Sequence, residues 1–343
     1  MSTPADSDAT GGPRRRRMQR RTAVWSPPAD LVERMPTESG NTRNGLGEQA
    51  PRRPTPVMWT WKDPIPHRAM QDLIAERCFA HPGLGPVLRR RDADPYRPAT
   101  IEPVSETASP VAWTERIRRF ALHESPHPVD QVGIVEVRPD WVFEGYEVTE
   151  RFAILLASAM DHGELSKTPS WEGNAEVHRV YNDSTAAARA LADHLRSRGH
   201  HARGHGGPGM GPLLLLPAAI EAGLGELGKH GSLINRELGS SFRLACVLTD
   251  LDLVVDEPDE FGADDFCWGC RVCTDACPPD AIAPDKAVVR GVTKWYVDFD
   301  RCLPYFAETY GCGICIAVCP WSTPGSAPRL AANMTAKRQR RAR

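Results

Sequence analysis

Eight cysteines crowded into the last quarter of the chain limit most strongly what it can be. Cys267, Cys270, Cys273 and Cys277 follow one another at x2, x2 and x3 spacing, with Pro278 directly after. Bacterial ferredoxins hold [4Fe-4S] clusters with this run: three thiolates bind one cluster and the fourth reaches over to another. A second set, Cys302, Cys312, Cys315 and Cys319 followed by Pro320, keeps the final x2 and x3 spacing, while its first member has moved away. The reciprocal pattern assigns Cys267, Cys270, Cys273 and Cys319 to one cluster, and Cys302, Cys312, Cys315 and Cys277 to the other. Two such clusters make the chain an electron-transfer protein or a redox enzyme.

Zinc also takes four closely spaced thiolates, but two Cys-Pro endings after an x3 step favour iron-sulfur chemistry. Neither Cys273 and Cys277 nor Cys315 and Cys319 continues into the Cys-x3-Cys-x2-Cys run of a radical enzyme that binds adenosylmethionine. Cys78 and Cys246 stand alone in apolar stretches, where a cysteine packs as a small hydrophobe. No secretory pattern accompanies the cysteines, so they are read as reduced thiolates rather than disulfides.

A chain of 343 residues is expected to form about two domains. Its 41% hydrophobic and 25% charged content excludes collagen-like, coiled-coil and disulfide-scaffold classes. Basic residues gather at both ends, Arg14 to Arg17 with Arg20 and Arg21, then Lys337 to Arg343, and read as solvated tails. The segment behind the first arginines, Thr22 to Pro28, has no apolar region of the kind an export signal needs. The apolar run Leu213 to Leu216 is far too short to span a membrane. A cytoplasmic protein without a membrane span is expected.

Residues 1–55 are rich in Pro, Arg, Gly, Ser and Thr and are expected to be disordered. Apolar runs at Val132 to Val137 and Phe152 to Ala159 read as strands. Between Asp183 and Gly199 the period changes: Asp183 or Ser184 can cap a helix carrying Ala187, Leu191 and Leu195, and Gly199 can stop it. A glycine-rich loop from Leu224 to Gly231 precedes a strand from Arg243 to Leu248. Its glycines suit either close approach to a ligand or plain sharp turns. His200, His201 and His205 read as part of a solvated loop. The expected class is α+β: a mixed α/β core over 56–260, a ferredoxin-like dicluster module over 261–325 and a basic tail over 326–343.

The core has sequence features of its own. Gly223 to Ile234, then Phe242-Arg243-Leu244 and Leu248-Thr249-Asp250-Leu251, resemble the cobalamin-binding core of reductive dehalogenases. Lys294-Trp295-Tyr296-Val297-Asp298 and the closing Gly311 to Trp321 are similar to the same family. The resemblance runs from about Val132 to Trp321 and is specific after Tyr181. Epoxyqueuosine reductase, a tRNA-modifying relative, shares core and clusters but usually continues into helical repeats.

The resemblance implies a nitroreductase-like core that binds a corrinoid without a histidine ligand below the cobalt. Gly228, Lys229, His230, Gly231, Ser232 and Leu233 are the implied cofactor-binding residues. Tyr181, at the head of a helix, is the implied proton donor, and Arg243 the cation that would stabilise its phenolate. The implied function is reductive removal of a halide or similar leaving group from a small organic substrate, fed by a low-potential ferredoxin or flavodoxin. Nucleic acid is a partner only if the chain instead modifies tRNA, as epoxyqueuosine reductase does. A third reading is a dicluster electron carrier without corrinoid.

Overall fold

The computed structural model describes residues 24–60, 65–90, 96–207 and 211–341. Eight strands appear among them: β1 (Gln131–Glu136), β2 (Phe152–Ala159), β3 (Ala202–His205), β4 (Glu226–Leu227), β5 (Leu233–Ile234), β6 (Phe242–Thr249), β7 (Ala287–Val289) and β8 (Val292–Lys294). Four of them form one sheet in the order β1-β2-β6-β3, with every neighbouring pair antiparallel. The pairs β4-β5 and β7-β8 form two small hairpins.

β2 reads as a nearly unbroken apolar run because both faces of the sheet are covered. Phe152, Ile154 and Leu156 join Ala188 and Leu191 of the long helix Trp171–Arg196 on one side. Ala153, Leu155 and Ala157 alternate to the other side, against Ala218 and Ala219 of the helix Leu215–Glu221. The same alternation divides β6, where Ala245 and Val247 face the first layer and Cys246 and Leu248 the second. Cys246 and Cys78 are both fully packed, as expected of small core hydrophobes.

The long helix begins at Trp171, well before the expected cap at Asp183. No proline interrupts Trp171 to Asp183, and Arg179 bridges Glu176 at 2.6 Å and Asp183 at 2.7 Å, one turn either way. Ser184 and Thr185 do not cap anything; their hydroxyls donate back to the carbonyls of Val180 and Tyr181, both at 2.6 Å. Tyr181 is therefore a mid-helix residue and not the loop residue the cap reading implied.

The expectation of disorder over 1–55 fails from Val24 onward, while the arginine run lies outside the described residues. Leu31 is fully buried with Met70, Leu84 and Leu303. Asn41 Nδ2 donates to Asp298 at 2.8 Å, and Arg53 Nη2 donates to the carbonyls of Phe143 and Tyr146, both at 2.6 Å. A few large apolar residues and many directed polar bonds order this segment, a balance that composition alone does not register. The basic tail likewise contains a helix, Ser326–Arg341, which buries Ala327, Ala331 and Met334 and pairs Arg338 with Asp265.

Candidate functional site: a thiol-lined module opening on a cavity

Glu226, buried in β4, fixes the first cysteine segment. Its Oε1 accepts from the backbone N–H groups of Phe261, Gly262 and Ala263, and Oε2 from Asp264. These are the orphan donors at the start of the helix Ala263–Gly269, which carries Cys267. The second segment turns on Tyr310, Gly311, Cys312 and Gly313, all with φ between 40° and 111°. That left-handed run puts Cys312 within electrostatic reach of Cys302.

The thiols lie in two neighbouring groups, and Cys273 reaches both. Cys267 interacts with Cys273 and Cys270, and Cys319 with Cys267 and Cys270. Cys302 interacts with Cys312 and Cys277, and Cys315 with Cys312, Cys302, Cys273 and Cys277. Burial pushes the thiols of Cys267, Cys273, Cys302 and Cys319 up to about 12. Each would therefore release its proton to solvent only as a positively charged centre binds the sulfur in its place. Among the described residues no three His, Cys, Asp or Glu side chains are placed to share a single metal ion. The Lys229 N–H approaches Cys267 Sγ at 3.5 Å and the Ala281 N–H approaches Cys277 Sγ at 3.3 Å, as donors to ligand sulfurs do.

A cavity of about 610 Å³ reaches from Cys302, Cys312 and Cys315 to Tyr181 and Arg243. A second, of about 440 Å³, lies between β3, β6 and the loop before β5. Both are lined by Phe143, Tyr181, His230, Gly231, Arg243 and Ile316, so these side chains stand between the two spaces. Arg243 Cζ stands 5.2 Å from the Tyr181 ring centre, and its buried Nε has no hydrogen-bond partner among the described residues. The buried Nε2 of His205 also has no hydrogen-bond partner among the described residues, and burial pushes that imidazole down to about 4, so it is neutral.

The structure thus brings together Tyr181, Arg243, His230 and Gly231, while Ser232 and Leu233 line the smaller cavity only. Gly228 lines neither; a Cβ there would stand 2.7 Å from His230 Cε1, so its missing side chain makes room for that ring. Lys229 points the other way, into a small space bounded by Cys267, Cys270, Cys273 and Cys319. His205, read as solvated, lies on β3 and lines the cavity.

Three residues without an expected role also line the larger space. Burial, with Arg290 nearby, pushes Lys294 down to about 8. Tyr296 is pushed up to about 12 by burial and donates to Asn41 Oδ1 at 2.8 Å. Asn174 projects from the long helix. The Lys-Trp-Tyr run was visible in sequence, but nothing in it indicated which side chains face a cavity.

Residues 266–323 match the 4Fe-4S dicluster domain. Over 208 residues the chain is 33% identical to a tetrachloroethene reductive dehalogenase of Desulfitobacterium hafniense, covering 57% of this chain and 37% of that protein. The chain is a sequence relative of the reductive dehalogenases. It is also 36% identical over 122 residues to an epoxyqueuosine reductase of Leadbetterella byssophila, covering 31% of this chain and 36% of the relative. It therefore spans little more than a third of the length of either protein. The solved structure of a catabolic reductive dehalogenase, NpRdhA, in complex with 3-bromo-4-hydroxybenzoic acid superposes with a TM-score of 0.71. That match has 23% identity and covers 91% of this chain and 48% of the other, which establishes a reductive dehalogenase-like fold. No helix among the described residues is long and apolar enough to cross a membrane.

Proposed function

We propose that this chain is a corrinoid- and iron-sulfur-dependent reductase that removes a halide, or a comparable leaving group, from a small organic molecule. The observation that carries this reading is one cavity bounded by Cys302, Cys312 and Cys315 on one side and by Tyr181 and Arg243 on another. Electrons and a proton thereby have access to the same space. A plain electron carrier has no use for it.

The residues fit the groups this reading requires. Two sets of four thiols suit two [4Fe-4S] clusters, with Cys267, Cys270, Cys273 and Cys319 in one set and Cys277, Cys302, Cys312 and Cys315 in the other. A broad, largely apolar space suits a flat macrocycle, and Arg243 Nε and His205 Nε2 are buried polar atoms there without a hydrogen-bond partner among the described residues. His230, Gly231, Ser232 and Leu233 would form its wall, within the nitroreductase-like core the sequence implies. When bound, a corrinoid supplies the cobalt-centred reduction that carries the hard step.

The protein's own part is proton delivery and electrostatics. The Tyr181 hydroxyl supplies the proton that replaces the leaving group, and the Arg243 guanidinium stabilises the phenolate that remains. A bound macrocycle and substrate would displace water from the space, which strengthens that charge interaction. Electrons would arrive from a small low-potential donor such as a ferredoxin or flavodoxin.

The deciding experiment is anaerobic purification with added cobalamin, followed by cobalt and iron analysis and an assay of halide release from aryl and alkenyl halides. About one cobalt with about eight irons per chain, together with halide release, is the expected result. Full iron without cobalt would reduce the protein to an electron carrier. The similarity to epoxyqueuosine reductase motivates a second reading, and conversion of epoxyqueuosine in tRNA without halide release would establish it instead.

A further inference from the structure

Lys229 is the residue whose placement the proposed chemistry leaves unexplained. Only 1% of it is exposed. Its Nζ donates to the carbonyl of Cys270 at 3.0 Å and sits 4.7 Å from the centre of the Trp295 ring. Its backbone N–H faces Cys267 Sγ at 3.5 Å. Among the described residues no carboxylate pairs with it. The nearby Asp264 is held by Lys286 at 2.7 Å and by Trp295 Nε1 at 2.6 Å.

A buried cation without a counter-charge is expensive, because one carbonyl and one aromatic face do not replace its hydration. The small space it enters is bounded by Cys267, Cys270, Cys273 and Cys319. Four thiolates around an iron-sulfur cube carry the negative charge that is otherwise missing. The second set of cysteines, Cys277, Cys302, Cys312 and Cys315, does not border that space.

We infer that Lys229 is a positioning residue that selectively raises the reduction potential of the cluster held by Cys267, Cys270, Cys273 and Cys319. This rests on the dicluster reading of the cysteines. An electron entering that cluster adds one negative charge beside Lys229, so the cation stabilises the reduced form over the oxidised one. Net charge and hydrogen bonds to sulfur are the levers that spread such potentials. Lys229 borders the thiol-lined space only, Gly231 lines the larger cavities only, and His230 between them borders both.

The test is a potentiometric titration of the anaerobically reconstituted full chain, with titanium(III) citrate as reductant and electron paramagnetic resonance as readout. Lys229→Met removes the charge and the bond to Cys270, Lys229→Gln keeps an amide donor without the charge, and Lys229→Arg keeps the charge. Both neutral variants should retain about eight irons. At a fixed potential they should show about tenfold less of one cluster reduced, equivalent to ~59 mV for one electron.

The shifted cluster should be the one missing from Cys270→Ser and still present in Cys312→Ser. Lys229→Arg should restore most of the difference. Unchanged potentials with full iron overturn the assignment, as does an equal shift of both clusters or a shift of the other one. If the neutral variants lose iron while Lys229→Arg retains it, Lys229 holds ligand backbone rather than tuning a potential, and the assignment is again overturned. Wild-type protein that takes up no clusters defeats the dicluster reading itself.

Discussion

Tyr181 shows what a single residue reveals through its type and what only its neighbours can supply. The resemblance selected the residue, but the local sequence placed it on a loop because Asp183 and Ser184 look like caps. In the fold Asp183 pairs with Arg179 and Ser184 bonds to Val180, so the helix runs on and Tyr181 lines the cavity from its middle. Tyr181→Phe keeps the ring over which Arg243 lies and removes only the hydroxyl. Iron and corrinoid loading should stay normal while turnover falls about 100- to 10,000-fold. A variant within about threefold of wild type would move the search for the donor to Tyr296, whose hydroxyl already donates to Asn41.

Two neutral histidines make a second prediction at this scale. His194 stacks on Phe120 with ring centres 3.8 Å apart, and its Nδ1 accepts from Arg198 at 3.2 Å. Burial pushes His194 and His205 down to about 4 from an ordinary value of 6.5. The unfolded chain therefore takes up these protons first. Their contribution to stability is complete above about pH 6.5 and is lost progressively as the pH falls toward about 4. The melting temperature should drop over that range, and His194→Gln, which keeps an acceptor for Arg198 but cannot titrate, should flatten part of the slope.

At the scale of elements, strands were more legible than helix starts. β2 was readable to its end residues because a sheet buried on both faces demands an unbroken apolar run, and Phe152 to Ala159 supplies one. The helix bearing Cys267 was not legible. It has Gly262 in a left-handed conformation at its N-cap and no side-chain cap of its own. The cap arrives from Glu226, distant in sequence and therefore invisible to any local rule. Glu226→Gln turns an acceptor of the Asp264 N–H into a competing donor, and hydrogen bonds to a charged group are worth about 1.5–3 kcal/mol. Iron should fall from about eight toward about four per chain as the set containing Cys267 loses its geometry. Full iron with an unchanged melting temperature would show that the ligand helix holds itself.

The cysteine spacing announced one half of the molecule and the apolar strands the other, yet neither indicated how the halves are held together. Beside the direct bonds of Glu226 and Lys229, the segment after Val24 bridges the two. Trp25 donates its N–H to the Pro278 carbonyl at 3.0 Å, Ser39 and Gly40 bond to Asp300, and Leu46 bridges to Val289, all on the cysteine side. Arg53 and Thr55 then bond to Phe143, Tyr146 and Glu144 on the sheet side. Composition missed this brace because its stability comes from polar bonds to distant residues rather than from a core of its own.

Removing residues 1–23 keeps every contact of the brace named above and serves as the reference truncation. Removing 1–55 also deletes Leu31, buried with Met70 and Leu303, and the loss of a buried leucine alone costs about 2–5 kcal/mol. It further strips Asn41 and Asn44 from the Tyr296 hydroxyl, opening the wall of the larger cavity. The longer deletion should therefore melt at a lower temperature and load less corrinoid, with iron falling less than corrinoid because no cysteine ligand lies in the removed segment. Equal melting temperatures and equal cobalt in the two truncations would show that the halves hold together without the brace.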